Sequence, residues 1–329
     1  MPDPSPALLA VERFQAEVDR NDQQALTRLI AAYGRIWEGL QDQIDALTVT
    51  IGSGTYLDDV RKLRQYKNLE RQIAEQLTGY AAILRNEIGD VVDLMLPMGE
   101  AHNRELISII MAGDTRLASQ FQRLSPETIK TLLGFVNPDS PLYQRLQTLP
   151  EYTTKWVMDS IVEGVGLGKG PRQIADIIQG AFGRGLTDAL RMTRTVQIWT
   201  YRESNRASMV ANGDVLEGWV WKARLDSGAC LSCIAQHGTI HPVTELLNDH
   251  HNGRCVAIPL VKGFPPIIQG LGSEWFDKLP ESEQRKMMGP GRYEAYKAGK
   301  FSFEKLSTEK TDEVYGPMKT EQSLKELVG

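Results

Sequence analysis

The residues best suited to chemistry are the chain's three cysteines, which fall close together as Cys230-Leu-Ser-Cys233 and His250-His-Asn-Gly-Arg-Cys255. A Cys-x-x-Cys pair followed by one more Cys and a His fits a Cys₃His zinc site, because tetrahedral zinc takes thiolate sulfur and imidazole nitrogen. The first ligands are Cys230 and Cys233. Cys255 and one of His250 or His251 complete the set, since both histidines are near enough in sequence to reach. Such a set leaves no open coordination position, so its expected role is to staple a small domain rather than to catalyse. The bland alternative is three buried small apolar side chains that never meet. His237 or His241 could stand in as ligand, but Gln236-His-Gly-Thr-Ile-His-Pro242 reads more simply as a hairpin turn.

Other chemistry-bearing patterns are weaker. Gly164-Val-Gly-Leu-Gly-Lys-Gly-Pro171 lacks the spacing and the Ser or Thr of a phosphate loop, and follows a helical pattern rather than a strand. It reads as a helix end, a link and a proline-led helix start. Asp249-His250-His251-Asn252 beside cysteines suggests a zinc-finger nuclease of the His-metal type, but no histidine follows His251 to serve a catalytic metal. No HExxH, Gly-x-Ser-x-Gly or Asp-rich metal loop occurs. Arg191, Arg194, Arg202 and Arg206, interleaved with Trp199 and Tyr201, could form a basic helix face for DNA phosphates. A solvated face paired with Asp188 and Glu203 is the reading that the spacing alone favours. His102, following Gly99-Glu-Ala, reads as a helix surface residue.

The elements that must position these residues change character along the chain. Residues 1–150 read as an all-helical docking region. Leu26, Ile30, Tyr33, Trp37, Leu40, Ile44 and Leu47 form one seam; Leu57, Val60, Leu63, Tyr66, Leu69, Ile73, Leu77, Tyr80 and Leu84 form a second. The glycines of Thr50-Ile-Gly-Ser-Gly-Thr-Tyr56 separate them, which predicts a long antiparallel helical hairpin packed within one chain. Shorter helices punctuated by Pro97, Pro126, Pro138, Pro141 and Pro150 are expected next, with Ser125-Pro-Glu-Thr as a helix start. Residues 151–163, 171–183 and 186–212 are expected helices. From Trp219 the period becomes that of a strand, and a Cys-x-x-Cys knuckle is expected to follow it directly. Two short helices, around 273–288 and 291–298, and a polar docking tail end the chain. The fold class is therefore α+β: an extended helical region, then a small α+β domain over residues 151–329 with a zinc-stapled β-hairpin.

Composition sets limits. With 329 residues, 41% apolar and 24% charged, the chain is that of a folded protein of about two domains. A net charge of −5 excludes broad coating of nucleic acid. Three cysteines are no disulfide scaffold. The start of the chain has neither the basic nor the apolar segment of a secretion signal, and no apolar run approaches the roughly 20 residues of a membrane span. Synthesis and folding in a cytoplasm are expected.

From Arg194-Thr195 onward the chain resembles the Mu F-like minor head proteins of tailed bacteriophages, also called phage head morphogenesis proteins. The resemblance rests on Tyr201-Arg-Glu203, Gly218-Trp-Val-Trp221, Leu225-Asp226, Cys230-Leu-Ser-Cys233, Gln236-His-Gly-Thr-Ile-His-Pro242 and Asp249-His-His-Asn-Gly-Arg-Cys255. Gly289-Pro-Gly-Arg-Tyr-Glu-Ala-Tyr-Lys-Ala-Gly-Lys-Phe301 extends it toward Ser323-Leu-Lys-Glu-Leu327. Two positions depart: Val196 stands where an acidic residue is common, and Gly253 stands where many members have a cysteine. In that register His250, not His251, is the ligand. The resemblance implies a virion protein of the head interior, made in the host cytoplasm and acting in head assembly. Its implied partners are the portal protein, the scaffold or major capsid protein, and DNA in some members; no membrane or enzymatic activity is implied. It also leaves no room for a fused toxin enzyme.

Overall fold

The computed structural model describes residues 5–52, 57–111 and 139–329. The expected helix start at Ser125 and residues 53–56 of the interhelical turn lie outside them. The elements are α1 (Pro6–Gly52), α2 (Leu57–Val60), α3 (Arg64–Ile110), α4 (Pro141–Gly166), α5 (Pro171–Ala211), β1 (Leu216–Lys222), α6 (Leu231–Gln236), β2 (Ile240–His241), β3 (Val256–Val261), α7 (Gly272–Asp277), α8 (Glu281–Met288), α9 (Pro290–Lys297), β4 (Ser307–Asp312), β5 (Gly316–Glu321) and α10 (Leu324–Val328). The fold is α+β, long N-terminal helices followed by a small antiparallel sheet region. Among the described residues no helix is long and apolar enough to cross a membrane.

Several helices are longer than the proline punctuation predicts. Pro97 lies inside α3 and Pro150 inside α4. Each proline removes one backbone donor, a local cost that the buried stripes on both sides of it offset: Val92, Met95, Leu96 and Leu106 flank Pro97, and Leu146, Leu149, Val157 and Ile161 flank Pro150. The Gly-rich segment behaves as expected. Gly168 takes a positive φ of 66°, Lys169 N–H donates to Gly164 O at 2.9 Å, and Pro171 opens α5.

Packing divides the chain into two units, each made of separated segments. One comprises Arg20–Val92 and Phe135–Gln197. In it Tyr33 packs edge-on to Tyr80, their ring centres 4.8 Å apart, and Arg28 pairs with Glu87. As one residue number rises its partner's falls, so α1 and α3 run antiparallel here. The predicted seam residues Leu26, Tyr33, Leu40, Ile44 and Leu47 are buried, but Ile30 is 48% exposed and Leu29 and Ile36 are buried in addition. A seam facing several helices is wider than a two-helix stripe. Asp22 and Arg194 form an ion pair at 2.6 Å, as do Arg145 and Asp188 at 3.0 Å.

The other unit comprises Met1–Asp19, Asp93–Gly134 and Ile198–Gly329. Its sheet has the order β2-β1-β3, antiparallel throughout, with Trp219 opposite Pro259 and Trp221 opposite Ala257. Both faces of β1 are covered. Trp219 and Trp221 pack among Met209, Cys233, Leu247 and Cys255, whereas Val220 packs with Ile258, Phe14 and Leu106. A third core, around Ile234, Phe276, Tyr293 and Phe303, includes Leu306 and Leu327.

That third core corrects the reading of the C-terminal residues as a docking tail. β4 and β5 form a hairpin, Met318 and Leu327 are buried, and Ser323 with Glu326 caps α10 by a reciprocal box. A two-stranded ribbon buries few side chains, so a folded hairpin can have a polar sequence.

His102 is also corrected. It is buried, stacked on Phe14 with ring centres 3.9 Å apart, with Nδ1 at 3.1 Å from Tyr201 Oη and Nε2 at 3.3 Å from Glu17. Burial depresses its pKa despite the opposing charge of Glu17. The unfolded chain therefore takes up a proton first as pH falls. The stability supplied by the neutral ring is complete above the unfolded value of about 6.5 and is lost below it. His102→Gln is expected to flatten the fall in urea midpoint between about pH 7 and pH 5. An unchanged slope would assign that fall to other groups.

Candidate metal centre

Beyond β1, Asp226 folds the chain into α6. Its Oδ1 accepts from Gly228 N–H at 2.9 Å, and its backbone carbonyl accepts from Ala229 N–H at 3.1 Å. Cys230 is then the N-cap of α6, its Sγ accepting from Cys233 N–H at 3.2 Å in the manner of a capping serine. The Cys-x-x-Cys pair is thus the first turn of a helix and not a knuckle directly after a strand. Residues three apart on a helix share a face, and this sets the two sulfurs side by side.

His250 reaches them from the loop before β3. Its Nε2 lies 3.0 Å from Cys230 Sγ and 3.3 Å from Cys233 Sγ. The opposite nitrogen, Nδ1, donates to His251 O at 2.8 Å, which orients the ring with Nε2 toward the sulfurs. Ligand atoms of Cys230, Cys233 and His250 all lie within 4.8 Å of one another, and a second such group joins Cys233, Asp249 and Cys255. Cys255 therefore meets the set through Cys233. The four predicted residues form one cluster that could hold a metal, with Cys233 its shared vertex. His251 is placed elsewhere, edge-on to Tyr315 with ring centres 4.5 Å apart and 3.5 Å from Asp312.

The protonation of the cluster reflects crowding. Hydrogen bonds from Cys233 and His250 bring the Cys230 thiol down to about 5, and the Cys230 sulfur in turn raises His250 to about 9. Cys233 is pushed far up, first by Cys230 and then by Cys255, and burial raises Cys255. Thiolates so close cannot all ionise unaided, whereas a divalent cation among them removes the repulsion. The donor set of three sulfurs and one imidazole fits zinc on these grounds. Trp221, fully buried, packs in the same apolar core as Cys233 and Cys255.

The loop bearing His250 and Cys255 is held by a pair that sequence reasoning did not single out. Asp249 is completely buried and takes a two-pronged ion pair from Arg202 of α5, with Nη2 to Oδ2 at 2.9 Å. The same guanidinium donates to Cys255 O at 2.7 Å and Gly253 O at 3.2 Å, while Cys255 N–H donates to Asp249 Oδ2 at 3.3 Å. Five donors in a fixed fork suit arginine, not lysine, to this cage of oxygens. Position 253 must be glycine because a Cβ there would fall 2.0 Å from Asp249 Oδ2. Gly253→Ala is expected to displace the carboxylate and lower stability by about 1–3 kcal/mol. An unchanged thermal midpoint would show that the loop yields without cost.

The arginines do not form a common basic face. Arg191 is exposed, Arg194 is paired with Asp22, Arg202 is buried on Asp249, and Arg206 is paired with Glu203 at 2.9 Å. The signal that could have found Arg202 is its place in Tyr201-Arg-Glu203, one helical turn after the apolar Ile198 and Trp199. Comparison of the chain with family models, with curated proteins and with solved structures gives no match.

Proposed function

We propose that this chain is a minor head protein of a tailed bacteriophage, a structural component of head assembly at the portal vertex. In this reading Cys230, Cys233, His250 and Cys255 hold a structural zinc ion. The observation that carries it is a convergence. Residues of separate motifs behind the resemblance meet around one cluster: Arg202, Trp221, Cys230, Cys233, Asp249, His250 and Cys255. A set of three thiols and an imidazole, fixed by a buried ion pair, suits a staple between α5, α6 and the loop before β3. The helices of the N-terminal half supply surface for the portal protein, for scaffold or major capsid protein, and for packaged DNA.

The rival reading is a nuclease of the zinc-finger type that processes DNA at the portal. It would employ His251, whose contacts with Tyr315 and Asp312 favour a structural part instead. Co-sedimentation with portal rings tests the proposal, and the chain is expected to pellet with them. Failure to pellet, or divalent-metal-dependent cleavage of DNA that disappears in His251→Ala, overturns it.

A further inference from the structure

A cavity of about 620 Å³ lies in the second unit described above, at the Lys222 end of β1. Its size is within the roughly 300–1,000 Å³ typical of small-molecule sites. Lys222, the last residue of β1, lines it, half-buried, with Nζ donating to the neutral Gln15 Oε1 at 3.3 Å. Among the described residues Lys222 forms no ion pair, although the charge of Glu12 acts on it from farther off. A half-buried ammonium without a carboxylate partner retains much of its desolvation cost.

His237 lines the same space and is 8% exposed. Its Nδ1 accepts from Ala223 N–H at 3.2 Å, so the neutral ring carries its proton on Nε2 and is a donor there. Burial and the neighbouring Lys222 charge keep this ring neutral. Arg202 also borders the cavity, but its donors are engaged by Asp249, Gly253 and Cys255. Ile198, Ile267 and Ile268 supply apolar wall. Glu12 and Asp19 line it too, Asp19 facing Arg224 at 3.9 Å, and Arg224 and Arg254 are both paired with Asp226. The space therefore joins a charged part, with Lys222 as its cation outside those ion pairs, to an apolar part.

We propose that this cavity binds a small organic anion, its charged head held by Lys222 Nζ and His237 Nε2 and its apolar body set against Ile198, Ile267 and Ile268. Cys255 of the metal cluster borders the same space, but the groups assigned to the anion are Lys222 and His237, and the proposal does not rest on the assembly reading. Neither residue belongs to the groups of close ligand atoms around Cys233.

The probe is 8-anilinonaphthalene-1-sulfonate, titrated by fluorescence into the folded full-length protein, with neutral N-phenyl-1-naphthylamine and inorganic phosphate as comparisons. Saturable one-site binding of the sulfonate is expected. Lys222→Met is expected to weaken it about ten- to hundredfold, the range for a hydrogen bond to a charge, and Lys222→Arg to retain most of it. Gln15→Glu, which supplies an internal carboxylate to Lys222, should weaken it comparably without removing the cation. Circular dichroism and thermal midpoints confirm that each variant is folded. Binding that is absent, or unchanged in both Lys222→Met and Gln15→Glu, overturns the proposal. So does neutral naphthylamine binding as tightly as the sulfonate. Inorganic phosphate displacing the sulfonate at equal concentration would overturn the role of the apolar wall.

Discussion

Cys233→Ser is expected to remove stoichiometric zinc from the protein and to have the largest effect of any single substitution in the cluster. Cys233 belongs to both groups of close ligand atoms, so its loss separates Cys255 from Cys230 and His250. It is also 6% exposed, and a serine hydroxyl there brings a polar group into an apolar core without the metal that would satisfy it. Zinc-finger peptides bind the ion with about 10–16 kcal/mol. This unit has apolar cores of its own, so only part of such a sum is expected to appear as stability, at least about 3 kcal/mol. Elemental analysis and thermal unfolding with and without a chelator measure both effects. A wild-type protein that is folded, free of metal and indifferent to chelator would sink the zinc reading, and Cys230→Ser is the matching control.

Asp249→Ala is expected to cost about 3–5 kcal/mol, the usual penalty for leaving one member of a buried ion pair alone. The Arg202 side chain is 4% exposed and the Asp249 side chain not at all, so water cannot replace the lost partner. Arg202 also holds the carbonyls of Gly253 and Cys255, which couples the pair to the loop that presents both His250 and Cys255. Zinc retention should therefore fall together with the urea midpoint. Combined with Arg202→Met, the loss should be well below the sum of the single losses, because the second substitution removes the stranded charge. Strict additivity would refute the coupling.

Much of the helical architecture was legible in the chain. The seams through Tyr33 and Tyr80 have a period that only a helix satisfies, and Gly168 with Pro171 punctuates α4 and α5 where such residues act through their own backbone limits. The punctuation at Pro97 and Pro150 misled, because a single proline costs one backbone donor and a local clash, which a long buried stripe can outweigh. His102 misled for a related reason. Its sequence neighbours are polar, but the ring that covers it, Phe14, is distant in the chain. The C-terminal hairpin was missed since its strands bury so few side chains that no strong alternation marks them.

The cluster divides in the same way. Residue types and close spacing were enough to nominate Cys230, Cys233, Cys255 and a histidine, because ligand chemistry is local and sulfur is scarce in this chain. The choice between adjacent His250 and His251 came with the resemblance alone; their spacings are nearly equal, and only the fold turns one toward the sulfurs and the other toward Tyr315. Arg202, Asp249 and Trp221 could not be paired from their order, because their contacts cross many residues of chain. Lys222 and His237 are likewise unremarkable as letters and acquire meaning only where β1 and the turn before β2 face one cavity. By itself the sequence determined the helices, the strand and a set of residue types that could hold a metal, which depend on short-range periodicity and residue type. The tertiary structure decided which side chains are buried, paired or left facing a cavity, because burial and charge pairing depend on neighbours that the chain order does not record.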